Sequence, residues 1–239
     1  MSVRINYYQY EGVHSTLDAW DSCIDVDGVA PEPRRVIETY SPGKTPNWEC
    51  PAWRHKNSRE FIISAPREII LHIDNENGAV GSPSMTNDQI NNYVKVEDKE
   101  PPITTIQIMC PMVLCWTDAK RVWVEVKDHP ITSRNNNFTL TNGWFNLSSW
   151  CRPISFGLNV CDPNEPVVIK RGDPLYKLAF YQEDNLDQTF KMVKAQPHTE
   201  LLLDVYKRMK VKHFQSHLAD DLIFKDKEEK CPFGWLFND

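Results

Sequence analysis

Arg121-Val122-Trp123-Val124-Glu125-Val126 repeats its chemistry every second residue. In an extended chain successive side chains point to opposite faces, so Val122, Val124 and Val126 share one face and Trp123 lies on the other. That is the pattern of a half-buried β-strand, because an amphipathic helix would repeat at 3.6 residues. The same pattern spreads outward in both directions. Val3 to Tyr10 alternates and is rich in aromatic and branched residues. Ile103 to Trp116 is a longer apolar run, which predicts a strand buried on both faces and bent near Pro111. Glu60 to Asp74 reads as two strands hinged at Pro66. Arg34 to Tyr40, Tyr93 to Val96, Ile154 to Val160, Pro166 to Lys170 and Leu175 to Tyr181 complete the strand candidates. Lys170-Arg-Gly-Asp-Pro174 predicts a tight reversal joining the last two.

Composition agrees with this reading. The chain has 239 residues, 41% of them hydrophobic and 25% charged, ordinary values for a globular protein able to bury its own core. Seventeen prolines against nine glycines argue against a helical bundle, since proline is excluded from helix interiors. Many short strands with proline-rich turns predict a mainly β fold, a sandwich, jelly roll or partly closed barrel. One segment departs from the period of two. Leu202, Val205, Tyr206, Met209 and His213 recur at helical spacing, which predicts a helix over 199–218 with Thr199 as its N-cap. The apolar tail at 231–237 is expected to pack on the core. All of 1–239 is therefore read as a single domain. Asn75 to Asn92 is polar and reads as a long loop.

Several function classes are disfavoured at this stage. A net charge of −6 argues against general nucleic-acid binding, which needs a basic face to neutralise phosphates. No run is long enough for a membrane-spanning helix. The first residues lack the apolar core of a secretion signal, and seven cysteines is an odd number with no CxxC pair, so reduced thiols in a cytoplasmic setting are expected.

Three groups of residues carry possible chemistry. His72 and Asp74 are two positions apart on a predicted strand and so share a face. With His129, they would supply the two imidazoles and one carboxylate of a non-haem iron triad. Arg134 follows in the order expected of a 2-oxoglutarate anchor. This set resembles the iron- and 2-oxoglutarate-dependent oxygenases on their double-stranded β-helix. It departs from them because Asp128-His129-Pro130 reads as a turn. A polar strand end is the competing account. His213 and His217 share a helical face, but the metalloprotease Glu is absent and a solvated basic face explains them. Trp144, Trp150 and Arg152 form the third group: large amphipathic rings that either fill the core or line a ligand pocket, with Arg152 supplying an anion contact.

Two further resemblances bear on function. Pro166 to Phe180 is similar to the closing hairpin of the β-clip nucleotide enzymes, the dUTPase and dCTP deaminase group. The Ser-containing phosphate motif and the Gly-rich C-terminal arm of dUTPases are both missing, so that chemistry does not carry over. Cys50-Pro51-Ala52 with Phe61 to Pro66, Trp150 to Pro153 with Gly172-Asp173-Pro174, and Cys231-Pro232-Phe233 together resemble uncharacterised proteins of marine tailed phages and a bacterial family of unknown function. That resemblance implies a host-cytoplasm or virion setting and supplies no activity. The leading expectation is a non-enzymatic binding or structural β-domain that needs no cofactor and engages a protein partner or itself. The alternatives are an iron oxygenase and a nucleotide-handling protein.

Overall fold

The computed structural model describes residues 2–9, 31–39, 49–97, 104–129, 136–148 and 152–195. The predicted helix at 199–218, the tail at 231–237, Arg134 and Trp150 lie outside them. The described strands are β1 (Val3–Tyr8), β2 (Arg34–Arg35), β3 (Glu60–Ser64), β4 (Ile69–Asp74), β5 (Ala79–Gly81), β6 (Val94–Val96) and β7 (Thr105–Trp116). They continue with β8 (Val122–Asp128), β9 (Phe138–Thr141), β10 (Gly143–Asn146), β11 (Arg152–Val160), β12 (Val167–Ile169), β13 (Pro174–Gln182) and β14 (Phe190–Lys194). Two short helices interrupt them, α1 (Pro51–Asn57) and α2 (Asn87–Tyr93). The fold is mainly β, as the alternation implies. Among the described residues no helix is long and apolar enough to cross a membrane.

The strands form a six-stranded sheet, ordered β14-β1-β7-β11-β9 with β6 also on β7, a five-stranded sheet ordered β10-β8-β13-β3-β2, and a three-stranded sheet ordered β12-β4-β5. The two larger sheets share one core. Val122 and Val124 on β8, Leu178 and Phe180 on β13, Ile106 on β7, Leu158 on β11 and Phe190 on β14 are all fully buried within it. Aromatic rings bridge the layers: Phe156 of β11 lies 5.7 Å from Tyr176 of β13, and Phe190 of β14 lies 5.8 Å from Phe180 of β13. Apolar burial of this kind drives the sheets together.

β7 is the spine of the larger sheet. Its pairing with β11 slips where Ile154 opposes Val113 and Phe156 opposes Ile108, so β7 spends extra residues around Pro111. Proline has no N–H to give the ladder, which accounts for a break at the position expected from sequence. β1 sits beside β7 and pairs in parallel with β14, Val3 opposite Phe190 through Tyr7 opposite Lys194.

Several local expectations need correction. The reversal at 170–174 does not join a hairpin, since β12 pairs with β4 whereas β13 pairs with β3 and β8. Instead β3 and β4 run antiparallel to β13 and β12 as one ribbon that bends between sheets. At the bend Gly172 N–H donates to the Ala65 carbonyl at 2.8 Å and Ala65 N–H donates to the Asp173 carbonyl at 2.9 Å. Gly172 takes φ +86°, a conformation that L side chains rarely adopt, so glycine suits the corner. Arg34 to Tyr40 yields only a two-residue strand before a 3-10 turn over Val36–Thr39. The loop expected over 75–92 contains β5 and α2. Its helix is specified by a capping box: Gln89 N–H donates to Thr86 Oγ1 at 3.2 Å, and Thr86 N–H donates to Gln89 Oε1 at 3.0 Å. Lys191 and Lys194 belong to β14.

Candidate functional site

β8 fulfils the alternation from which its strand is predicted. Its valines face the core, while Trp123, Glu125 and Lys127 face out from the five-stranded sheet. β10 sets Trp144 opposite Glu125, and β13 sets Tyr181 opposite Trp123, so three rings meet on the outer face. The Trp144 ring stacks on Tyr181 at 4.9 Å and 27°, with Trp123 tilted beside it at 6.0 Å. Trp144 nevertheless remains 51% exposed.

Trp144 also lines a cleft of about 380 Å³ at the crossing from β9 to β10. Here the chain leaves the larger sheet, turns at Asn142 and joins the five-stranded one. Val126, Phe145, Ile154 and Phe156 form the apolar part of the lining. Glu97, Thr105, Gln107, Thr141 and Asn142 form the polar part. Asn142 Oδ1 accepts from Asp128 N–H at 3.2 Å, which ties the crossing to the end of β8. Gly157 completes the wall, and a Cβ there would meet Thr141 Oγ1 at 3.0 Å and Thr141 Cβ at 3.2 Å. A Gly157→Ala variant is therefore expected to push Thr141 aside, lowering stability by about 1 kcal/mol. Thr141→Ala in the same chain should restore part of that loss in urea denaturation.

A charged network shares the outer face. The fully buried Glu60 side chain receives Lys177 Nζ at 2.9 Å and Lys127 Nζ at 3.3 Å. Lys127 also reaches Glu125 at 3.0 Å and Tyr181 Oη at 3.1 Å, and Tyr181 donates to Glu125 at 2.9 Å. Burial disfavours the ammonium of Lys127, but Tyr181, Glu125 and Glu60 outweigh it and hold its pKa above the usual lysine range. Burial likewise pushes the Tyr181 phenol up. Arg59 lies over the Tyr181 ring at 5.8 Å.

The iron triad does not assemble. His72 and Asp74 do share an exposed face of β4, as their spacing predicts. The Asp74 carboxylate, however, accepts the N–H groups of Glu76 and Asn77 at 3.1 Å and the Asn77 side chain at 2.7 Å, so it caps the β4–β5 turn. The Asn77 side chain leads the bonds that lower its pKa. His129 is buried beyond the end of β8 in another sheet. Among the described residues no three His, Cys, Asp or Glu side chains are grouped to hold a metal.

Burial, then the nearby Lys177, pushes the His129 pKa below its ordinary 6.5. The unfolded chain therefore binds more protons near and below that pH, and stability is expected to fall as pH drops from about 6.5. The fall should level off below the depressed folded value. Thermal melts of His129→Asn across this range should show a flatter profile than the parent.

Of the pocket candidates, Trp144 lines the cleft and Arg152 opens β11 opposite Cys115. Sequence reading missed Gln107, Thr141 and Asn142. The alternation Phe138-Thr-Leu-Thr-Asn142 carries a strand signal that would have exposed Thr139 and Thr141 as outward positions.

No family model and no curated protein matches the sequence. Solved structures with a similar course of chain include EIAV dUTPase, at 10% identity and TM-score 0.31, covering 59% of this chain and 84% of that one. The dUTPase of phage phi11 of S. aureus gives 9% identity and TM-score 0.33, covering 71% and 97%. The dUTPase of Staphylococcus bacteriophage 80alpha gives 9% and 0.33, covering 71% and 89%. At these values they bring no residue role to this chain.

Proposed function

We propose that the protein is a non-enzymatic binding domain whose ligand enters the cleft beside Trp144. The observation that carries this reading is the half-exposed indole, backed by Tyr181 and set at an open cleft of about 380 Å³. A space of this size lies at the lower end of small-molecule sites, and a mostly apolar lining with a few polar groups is their usual chemistry. Indole burial by a ligand would gain apolar contact that the free protein leaves to water.

A fragment library screened by thermal shift tests the proposal, because a ligand that binds only the folded state raises Tm by mass action. Fragments that stabilise the parent and lose their effect in Trp144→Ala support the reading. Hits that act equally on both chains, or an absence of hits beside self-association of the chain, would favour the structural role instead.

A further inference from the structure

We infer that the cleft beside Trp144 takes a neutral saccharide, an inference that rests on the binding reading above. Charge comes first. Among the described lining residues the charged group is Glu97, and its carboxylate already receives Lys95 Nζ at 2.8 Å. The rest of the polar lining consists of the hydroxyls of Thr105 and Thr141 and the amides of Gln107 and Asn142. An anionic ligand such as a nucleotide needs cations or converging backbone N–H groups to replace its hydration. The Lys127 ammonium on the adjoining face is already shared among Glu60, Glu125 and Tyr181. Hydroxyls and amides, which both donate and accept, instead match the hydroxyl groups of an uncharged sugar.

Shape points the same way. A pyranose ring presents a flat C–H face and a polar rim. Trp144 offers a flat apolar surface held in place by Tyr181 and flanked by Trp123. Gly157 keeps the wall open where any side chain would crowd Thr141. A cationic ligand would favour several aromatic faces around it, as in an ammonium cage, whereas the rings here form one platform.

The test uses the full chain and an array of neutral oligosaccharides, with dUTP, uridine and choline chloride as separate arms. Isothermal titration then measures any compound that binds. The expected result is binding of at least one neutral oligosaccharide, weakened about tenfold by Trp144→Ala, in line with loss of one stacked aromatic contact. Gln107→Ala should weaken it by about threefold through loss of one neutral hydrogen bond. Affinity should hold between about 50 and 500 mM salt, because no charge is neutralised. Circular dichroism checks that each variant keeps its fold. If dUTP, uridine or choline shows Trp144-dependent binding and the sugars show none, the saccharide inference is overturned while the binding reading stands. If nothing tested binds in a Trp144-dependent way, the saccharide inference is overturned and the fragment screen alone decides the binding reading.

Discussion

Phe180→Ala should lower stability by about 4 kcal/mol, the cost of deleting a fully buried phenyl ring and leaving a cavity. Phe180 has no exposed surface and stands where the sheets meet. Its ring packs edge-on against Phe61 of β3 at 5.7 Å and beside Phe190 of β14 at 5.8 Å. Phe61 shares its sheet, and Phe190 belongs to the opposite one. Removing it therefore loosens the contact between layers as well as one side of β13. For a chain of this size the loss corresponds to a fall in Tm of about 10 °C. Phe180→Leu keeps most of the volume and should cost about 1.5 kcal/mol or less. Urea denaturation with an unchanged m-value would measure both, and equal losses for the two variants would show that the volume leucine retains does not help, so that the cavity is not the source of the loss.

Glu60→Ala should cost about 2–3 kcal/mol for a different reason. Its carboxylate is fully buried between Lys127 and Lys177, whose side chains are 19% and 15% exposed. Deleting it leaves two ammonium groups facing each other with little water to screen them. Removing one member of a buried pair typically costs about 3–5 kcal/mol, and the residual exposure of both lysines reduces that here. Lys127 keeps Glu125 and Tyr181, so Lys177 should carry most of the penalty. Glu60→Ala with Lys177→Met removes the stranded charge and should recover more than half of the loss. A single-variant loss below about 0.5 kcal/mol would mean that the lysines reach solvent without difficulty.

How much of this was legible in the sequence depends on the range of the interactions involved. The inner valines of β8 and the slipped pairing around Pro111 follow from local chemistry, namely side-chain alternation and a missing N–H. The bent ribbon does not. The turn at Gly172 is visible locally, but the partners of β12 and β13 lie in residues 60–74, and nothing in the segment 166–180 names them. The capping box at Thr86 and Gln89 was readable and was masked by the polar composition around it. For the site, Trp144 stood out as a large aromatic residue beside Gly143. Gln107 and Asn142 did not, because threonine, glutamine and asparagine on outward positions look the same whether or not a cleft adjoins them. His72 and Asp74 show the opposite failure. Their shared face is real, yet the carboxylate closes a turn, a use that short-range spacing cannot distinguish from metal ligation.

The parallel pairing of β1 with β14 has a consequence for how the protein is made. On the ribosome, Val3–Tyr8 emerges before the other described strands, and its partner Phe190–Lys194 emerges after all of them. Antiparallel pairing with β7 can begin earlier, once Leu114 to Trp116 have been synthesised. Until then both edges of β1 lack these partners, and one edge waits far longer. An aromatic strand with an open edge is a site where nascent chains join one another. Slow translation should therefore prolong that exposure, and the yield of native protein should depend on chaperones that hold β1 until β14 arrives.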